Sequence, residues 1–317
     1  MYKMRILFTG ASSFSGMWMV KQLAAQGHQV TAIFKRSHTD YSGTRGQRVQ
    51  AILPFVQAIF NCSFGSQRFL ELIANKGPWD LFCHHAADVT NYKSPEFDVG
   101  IAVANNVSHL KQVLEALLMQ QCKKVVLTGT VFEQNEGDGT YPLKAFSPYG
   151  LSKGLTSEIF RFYIEKLDMK LGKFVIPNPF GPYEEPRFTA YLVQKWFKKE
   201  VAAVSHPSYV RDNIHVALLA KAYVHFIENL KDEPGFEKLN PSGYVESQGS
   251  FTKRFSSELR PRLDLSCEFE LHTQTDYSEP KERYNTDPLR YLEWDEQKAW
   301  DELAVFYQQT YGSYKHG

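Results

Sequence analysis

The sequence predicts an α/β fold in which a doubly wound parallel sheet is followed by a smaller, interrupted C-terminal lobe. Short apolar runs typical of buried strands alternate with amphipathic helical segments as far as residue 176. A turn rich in glycine and serine follows the first of these strands. The alternation ends at Pro177, where prolines, glycines and asparagines become frequent. The chain is therefore expected to form one large domain and one smaller lobe.

The predicted strands are short, apolar, and bounded by turn-forming or charged residues. They cover residues 5–9, 29–34, 80–84, 124–128 and 173–176. Continuous apolar character is typical of parallel strands that are covered on both faces. We assign residues 1–176 to a Rossmann-like dinucleotide-binding domain and residues 177–317 mainly to a substrate-binding lobe. The segment of about 212–240 is expected to return to the first domain.

The helices between these strands are predicted from apolar residues that recur at helical spacing. They cover residues 16–26, 107–121, about 153–171 and about 214–230. Gly27 and Gly172 follow the first and third of these segments, and glycine commonly ends a helix because it adopts the left-handed conformation easily. The apolar stripes on segments 107–121 and 153–171 are broad enough to face the core or a second copy of the chain.

Composition excludes several classes of partner. The 317 residues include 36 Lys and Arg against 35 Asp and Glu, which gives a net charge of +1. General binding of nucleic acids or membrane surfaces requires a basic excess, so neither partner is expected. The N-terminus does not resemble a secretion signal, and the four cysteines are scattered without metal-ligand spacing. A cytoplasmic protein with no metal site is the expectation.

The turn at residues 9–16 lies between the first strand and the first helix, where dinucleotide phosphates bind in such folds. Gly10 permits a tight turn, and Gly16 permits close packing of the helix on the strand. The N–H groups of the helix would then face a pyrophosphate. Ser13 replaces the middle glycine of the usual motif. The predicted cofactor-binding residues of this turn are Gly10, Ser12, Ser13, Phe14, Ser15 and Gly16.

The end of the second strand bears on the choice of cofactor. An NAD site usually has Asp or Glu there, but this sequence has Phe34, followed by Lys35 and Arg36. Two cations suit the 2′-phosphate of NADP, so NADP(H) is favoured over NAD(H). The alternative is that both cations belong to an ordinary solvated strand end.

Thr128, Tyr149 and Lys153 form a candidate catalytic group. Tyr149 and Lys153 are four residues apart, so on a helix they share one face. Thr128 ends the preceding strand at the carboxyl edge, where such sheets bind ligands. The phenol has a pKa of about 10, which Lys153 and an oxidised nicotinamide would lower toward neutrality. Tyr149 would then transfer a proton, Thr128 would hold the substrate oxygen, and the cofactor would carry the hydride.

These motifs resemble the extended short-chain dehydrogenase/reductases, which act mainly on nucleotide sugars. The resemblance covers residue 9 to about residue 243 and includes segments 80–87, 106–107, 177–182 and 210–216. It implies that Asn106 supports the active-site helices. It implies further cofactor contacts at Ala86, Ala87, Asp88 and Pro177. It implies substrate contacts at Thr130, Asn178 and Arg211, the last two at the diphosphate, with Arg187 and Arg283 as additional cations.

Departures from the family pattern reduce the number of reactions that the chain is expected to catalyse. Thr128 is followed by Gly129 and Thr130, so the acid/base pair of the dehydratases and the Glu of the decarboxylases are absent, and Glu133 is out of register. The main interpretation is NADP-dependent reduction of a nucleotide-linked 4-keto (6-deoxy) sugar, with Tyr149 as proton donor. The alternatives are a nucleotide-sugar 4-epimerase with tightly bound NAD(P), a reductase of small carbonyl compounds, and a non-catalytic NADP-binding protein.

The resemblance implies a homodimer in which segments 107–121 and 153–171 pair with their copies in a four-helix bundle.

His84 and His85 are adjacent at the end of a strand, so they should point to opposite faces of the sheet. No carboxylate stands at ligand spacing from them, and we interpret both as packing residues rather than metal ligands.

Overall fold

A computed structural model describes residues 2–312. Up to residue 180 its elements are β1 (Arg5–Thr9), α1 (Phe14–Ala25), β2 (Gln29–Ile33), α2 (Gly43–Ile52), β3 (Gln57–Ile59), α3 (Gln67–Lys76), β4 (Leu81–His84), α4 (Val99–Asn106), α5 (Leu110–Met119), β5 (Lys124–Thr130), β6 (Asp138–Gly139), α6 (Pro148–Lys166), β7 (Lys170–Ile176) and β8 (Asn178–Phe180). The remaining elements are α7 (Phe188–Phe197), β9 (Ala202–Val204), β10 (Val210–His215), α8 (Val216–Glu228), β11 (Gly235–Leu239), β12 (Pro241–Ser242), β13 (Tyr244–Ser247), α9 (Gln248–Leu263), β14 (Phe269–Leu271), β15 (Glu282–Tyr284), β16 (Asp287–Pro288) and α10 (Glu296–Tyr311).

A seven-stranded parallel sheet forms the centre of the molecule, in the order β11-β7-β5-β4-β1-β2-β3. Apolar side chains of α1 and α8 cover one face, and those of α3, α5 and α6 cover the other. Strand β1 pairs with β2 on one side and with β4 on the other, so the winding direction reverses there. Ligands of doubly wound sheets bind at the carboxyl ends of the strands at such a reversal. The predicted fold class is confirmed.

The prediction for the third helix was wrong at its C-terminal end. Helix α6 ends at Lys166, and Leu171 and Gly172 already belong to β7. Gly172 does not end a helix; it allows α8 to lie close to the sheet, because a Cβ there would stand 3.0 Å from the ring of Phe226. The apolar residues before Gly172 fit the spacing of a helical stripe. Leu171 nevertheless belongs to strand β7 and packs in the core.

The predicted helix at residues 107–121 is also different in the structure. The chain forms two helices, α4 and α5, separated by His109 in a left-handed conformation (φ 51°). The apolar stripe of α5 is fully buried in the core, so it does not present a face to a second copy. Exposed apolar side chains lie instead on α4 and α6 at Ile101, Leu151, Leu155 and Phe162.

After β7 the chain builds the smaller lobe and returns once to the large sheet. Helix α8 packs on α1, and β11 pairs in parallel with β7 at the edge of the sheet. The lobe contains a five-stranded sheet and an aromatic core between α7, α9 and α10. Among residues 2–312, no helix is long and apolar enough to cross a membrane, and no cluster of three or more His, Cys, Asp or Glu residues could hold a metal ion.

Arg283 joins the lobe to the loop that follows β5. It lies on β15, its exposed fraction is 0%, and its guanidinium donates to the backbone carbonyls of Val131 (3.3 Å), Glu133 (3.1 Å), Glu136 (3.0 Å) and Lys144 (2.6 Å). Both terminal nitrogens are therefore engaged with main-chain oxygens. The expected substrate contact of Arg283 does not agree with this position, and the structure gives the residue a structural role instead.

Replacing Arg283 by Met should lower the free energy of unfolding by roughly 2–4 kcal/mol, because four buried carbonyls lose a charged donor. The exposed Arg290, changed to Met, is the matched control and should shift stability by less than about 0.5 kcal/mol. Denaturant unfolding measures both variants. An unchanged stability combined with weaker nucleotide binding would instead support the substrate contact predicted from the sequence.

Candidate active site

The glycine turn connects β1 to α1 at the carboxyl edge of the sheet. Gly10 has a φ of 86°, and a Cβ there would stand 2.6 Å from the backbone nitrogen of Ala86, so only glycine fits. Ser13 is the N-cap of α1, because its Oγ accepts a hydrogen bond from the N–H of Gly16 at 3.1 Å. The Ser13 hydroxyl donates in turn to the Gly10 carbonyl at 2.9 Å. The serine that departs from the usual motif therefore stabilises the turn.

At the end of β2, Phe34 is buried rather than available to a ribose. Its ring stacks on Phe60 at 4.7 Å and meets the edge of Tyr41 at 5.8 Å. Lys35 and Arg36 are exposed directly after it. The strand end therefore presents two cations and no carboxylate of its own to the crevice.

Asp88 lies at the same edge, beyond β4. Burial alone would raise the pKa of its carboxyl, but hydrogen bonds from Thr90 and Asn105 and the charge of Lys35 together hold that pKa below its ordinary value. The backbone N–H of Asp88 donates to the Asn106 side chain at 2.7 Å, and Asn106 donates to Thr156 of α6 at 3.2 Å. Asn106 therefore connects the segment after β4 to the helix that carries Tyr149, which agrees with the supporting role expected for it.

Helix α6 places Tyr149 and Lys153 one turn apart. Ser147 caps the helix by accepting from the N–H of Gly150 at 2.9 Å, and Pro148 occupies its first turn, where a missing N–H costs nothing. Tyr149 is half-buried, with its ring 5.4 Å from that of Tyr92. Lys153 is 4% exposed. The Tyr149 hydroxyl and the Lys153 ammonium have no hydrogen-bond partner within residues 2–312.

Burial controls the electrostatics of this pair. Burial raises the pKa of Tyr149, and the nearby Glu133 carboxylate raises it further against the opposing charge of Arg187. Burial lowers the pKa of Lys153 to about 8. A buried ammonium without a partner is unfavourable, so acceptor oxygens supplied by a ligand would stabilise it.

A compact cluster of buried charges lies behind the end of β5. Glu133 is 0% exposed; its carboxylate accepts from the ammonium of Lys173 at 2.6 Å and from the N–H of Thr130 at 2.7 Å. Lys173 also contacts Glu136 at 2.7 Å, and Glu136 contacts Lys238 at 2.9 Å. Glu133 is therefore a fixed charge that influences Tyr149 and not a free acid or base. The sequence analysis missed this cluster because it started the strand at Lys173, whereas β7 begins at Lys170 and has Lys173 in its middle.

The cations expected to bind the substrate diphosphate differ in their surroundings. Arg211 is 7% exposed and contacts Glu279 at 2.9 Å, with Tyr209 4.6 Å from its guanidinium carbon. Asn178 lies beside Asn213 in the pairing of β8 with β10. Arg187 lies 5.9 Å from the ring of Tyr92, and its buried Nε has no partner among the described residues. Arg187 is thus the cation that the structure brings to Tyr149.

The two adjacent histidines point to opposite faces, as predicted, but only His84 fits a packing role. The His84 ring stacks on that of Phe160 at 5.1 Å. His85 instead contacts Thr128 at 2.9 Å and the glycine turn at Ser13 and Ser15. No sequence pattern indicated this contact, because it depends on the relative register of β4 and β5.

The family model described as the NAD dependent epimerase/dehydratase family matches residues 6–240. The UDP-glucose 4-epimerase of Mycolicibacterium smegmatis is 27% identical over 204 residues, which are 60% of this chain. The chain spans 61% of the length of that relative.

Two solved structures of similar fold are epimerases by name. The UDP-glucuronic acid 4-epimerase from Bacillus cereus, in complex with UDP-glucuronic acid and NAD, has a TM-score of 0.73 at 17% identity, covering 97% of this chain and 100% of its own. The UDP-glucose 4-epimerase from Thermotoga maritima, with UDP-glucose, has a TM-score of 0.72 at 16% identity, covering 97% and 99%. With a family model matched over most of its length, this chain belongs to the NAD-dependent epimerase/dehydratase family, the extended short-chain dehydrogenase/reductases.

Proposed function

We propose that the protein is a nucleotide-sugar 4-epimerase that works with a bound nicotinamide dinucleotide. The observation that carries the proposal is the unpartnered pair of Tyr149 and Lys153 on one face of α6, at the carboxyl edge that also holds Thr128 and the glycine turn. The similarity to UDP-sugar 4-epimerases favours this function over the ketoreductase that the sequence favoured. Epimerisation oxidises one carbinol and reduces it again from the opposite face.

The chain supplies binding and proton transfer for this reaction. The turn from Gly10 to Gly16 would hold the pyrophosphate, and Lys153 would bind the ribose hydroxyls. A bound nicotinamide dinucleotide supplies the acceptance and return of the hydride. Burial and Glu133 keep the Tyr149 phenol protonated at neutral pH, so its use as a base depends on the positive charge of an oxidised cofactor. Tyr149 then takes the proton of the carbinol and later returns it.

Replacing Tyr149 by Phe should lower turnover at least ~10²-fold and leave cofactor binding largely intact, because only the proton-transfer group is lost. The assay follows a panel of UDP-hexoses by NMR, with and without added NAD⁺. Tyr141, which is 70% exposed, is changed to Phe as the control and should retain full activity. Near-normal turnover of the Tyr149 variant would exclude the proposed role.

Reduction of a keto sugar nucleotide with NADPH remains the second candidate function. Lys35 and Arg36 are exposed at the strand end where the extra phosphate of NADP would lie. The buried Phe34 puts no carboxylate there that would repel this phosphate. The two functions differ in cofactor balance. An epimerase interconverts sugar nucleotides without net change in cofactor absorbance. A reductase consumes one NADPH for each 4-keto-6-deoxy sugar nucleotide. Following the absorbance of the reduced cofactor with both substrate classes therefore distinguishes the two functions.

The proposed preference for NADP rests on the exposed cations Lys35 and Arg36. Changing both to Ala should weaken NADPH binding at least ~10-fold more than NADH binding, since only the former has a phosphate for them to contact. Lys298 on α10, changed to Ala, is the control for the loss of a surface cation and should affect neither cofactor. Fluorescence titration measures the dissociation constants, and equal losses for the two cofactors would remove the case for NADP.

For the substrate, we propose that Asn178 and Arg211 contact the diphosphate and that Thr130 and Arg187 lie toward the sugar. Arg211 would exchange the Glu279 carboxylate for the diphosphate, whose two anionic groups match the planar guanidinium. Pro177, Ala86 and Ala87 would line the cofactor. These roles follow from family resemblance, and the position of Arg187 beside Tyr92 supports its part in them.

We also propose a homodimer, formed by α4 and α6 rather than by the α5 stripe. Ile101, Leu155 and Phe162 are 61%, 40% and 55% exposed on these two helices, which pack against each other. Apolar surface of this kind on neighbouring helices favours pairing with a second copy in a four-helix bundle.

Changing Leu155 to Glu should convert a dimer to a monomer, since a charge would be buried at the helix pairing. Met119 of α5, which is 81% exposed, changed to Glu, is the control and should leave the dimer intact. Light scattering gives the mass of each variant. A monomeric mass for the unmodified protein would contradict the proposal.

A further inference from the structure

Arg187 is a cation in an electrostatically unfavourable position beside the candidate catalytic group. It is the N-cap residue of α7 but its side chain makes no capping hydrogen bond, and Ser, Thr, Asp or Asn usually fills this position. The positive end of the helix dipole lies at the same terminus, so a cation there is destabilising. Its guanidinium forms no salt bridge among residues 2–312 and lies 5.9 Å from the ring of Tyr92, which contacts Tyr149.

Two carboxylates precede Arg187 in the chain, and neither is paired with it. Glu184 is 8% exposed and accepts hydrogen bonds from the hydroxyls of Thr189 and Tyr307, the latter at 3.2 Å. Glu185 is held by a different element of the fold. Burial acts to raise the pKa of both carboxyl groups, and the charge of Arg187 opposes that effect in each. Both carboxylates are therefore within electrostatic reach of Arg187.

Arg48 of α2 is the side chain that holds Glu185. It is 1% exposed; its Nη1 donates to the Glu185 carboxylate at 2.5 Å, and its Nε donates to the carbonyl of Tyr183 at 2.8 Å. Burial lowers the pKa of the Arg48 guanidinium, and the Glu185 carboxylate opposes that effect. Loss of the carboxylate partner is costly for a buried cation, whereas Arg187 is partly exposed. Glu185 is thus more stable on Arg48 than on Arg187.

We propose that Arg48 is a positioning residue that holds Glu185 and so leaves the guanidinium of Arg187 unpaired. Arg187 is then available, beside Tyr149, to an oxygen of the bound sugar nucleotide. The inference rests on the function proposed above, in which Arg187 lies toward the sugar. It also gives a reason for the buried arginine on α2, which lies in the large domain, far along the chain from the lobe segment that it contacts.

A carboxylate on Arg187 would also affect the phenol of Tyr149. Burial raises the pKa of Tyr149 and Glu133 raises it further, whereas the positive charge of Arg187 lowers it. Tyr92 contributes a further increase. Pairing of Arg187 with Glu185 would cancel the lowering effect, so the phenol would lose its proton only at higher pH.

Two single variants distinguish this role from that of an ordinary structural ion pair. Arg48→Met releases Glu185 to pair with Arg187, and we expect kcat/KM for the sugar nucleotide to fall at least ~10-fold. Glu185→Gln removes the carboxylate and leaves Arg187 unpaired, so we expect a change of less than about threefold. In a structural ion pair the loss of either partner would have a similar effect. Equal losses in the two variants would overturn the proposal.

Combined variants separate this effect from losses of folding. With Arg48→Met and Glu185→Gln together, no carboxylate is released, and kcat/KM should return to within about threefold of the unmodified protein. In an Arg187→Gln background, Arg48→Met should have no further effect. A double variant as impaired as Arg48→Met, or a full additional loss in the Arg187→Gln background, would overturn the proposal.

The matched control is Arg254→Met, which removes another arginine from a glutamate, since Arg254 contacts Glu246 at 2.8 Å. It should keep full kcat/KM. Melting temperatures are measured for every variant. Arg48→Gln, whose amide can still donate to the Tyr183 carbonyl, replaces Arg48→Met if the latter does not fold.

The pH dependence of kcat/KM is a readout that a structural role would not change. Its rise with pH follows loss of the Tyr149 proton when the tyrosine acts as base. We expect the midpoint of this rise to shift to higher pH in Arg48→Met and to return in the double variant. The other ionisable groups near Tyr149 and Arg187 are unchanged in these variants, namely Glu133, Glu184, Tyr92 and Lys153. An unshifted midpoint would overturn the proposal.

A crystal structure of Arg48→Met tests the pairing without substrate, and therefore separately from the proposed function. We expect the Glu185 carboxylate within about 4 Å of the Arg187 guanidinium. A Glu185 side chain turned to solvent, with Arg187 still unpaired, would overturn the inference whatever the activity. Inactivity of the unmodified protein toward every sugar nucleotide, together with the expected ion pair in the variant, would overturn only the proposed function.

Discussion

The burial of Lys153 without a hydrogen bond or salt bridge to its ammonium among residues 2–312 is the constraint on which the active site depends. An ammonium removed from water is costly, and the neighbouring buried amine, Lys173, is neutralised by two carboxylates. Lys153 forms no salt bridge among residues 2–312; burial lowers its pKa to about 8, and the nearby Glu133 carboxylate opposes that shift. The fold nevertheless holds it on α6 through the Ser147 cap and the Asn106 contact with Thr156. A ligand that supplied acceptor oxygens would stabilise a side chain kept in that state.

The second element of the site is a set of fixed charges that do not take part in proton transfer. Glu133, Glu136, Lys173 and Lys238 form a neutral cluster, and Arg283 holds the carbonyls of the same loop from the lobe. Two carboxylates and two amines balance each other, so the cluster adds little net field at long range. At short range Glu133 still raises the pKa of Tyr149. These contacts fix the loop after β5 on both sides, and Glu133 favours the protonated form of the Tyr149 phenol.

Sequence patterns predicted the parts of this site that are local. The glycine turn, the strand that carries Thr128, and the Tyr149–Lys153 spacing each lie within a few residues, so apolar runs and turn chemistry were sufficient to predict them. The strand itself continues two residues beyond the predicted end, to Thr130. Strand β11 was missed because its residues 235–239 are mostly exposed on a sheet edge, without the apolar run of a buried strand. Leu171 was assigned to a helix because a short apolar segment fits either period. Contacts such as His85 with Thr128 span 43 residues and arise only from strand register.

Arg211 is a buried cation whose charge is paired with a carboxylate of the same chain. The Arg211 side chain is 9% exposed and is paired with Glu279, whose side chain is 47% exposed. An ion pair with one partner that far in water contributes at most about 1 kcal/mol. A diphosphate offers two anionic groups to the same planar donor, and such charge-assisted bonds are about twice as strong as neutral ones. On the proposed substrate contact, a diphosphate would replace the Glu279 carboxylate, which orients the Arg211 guanidinium in its absence.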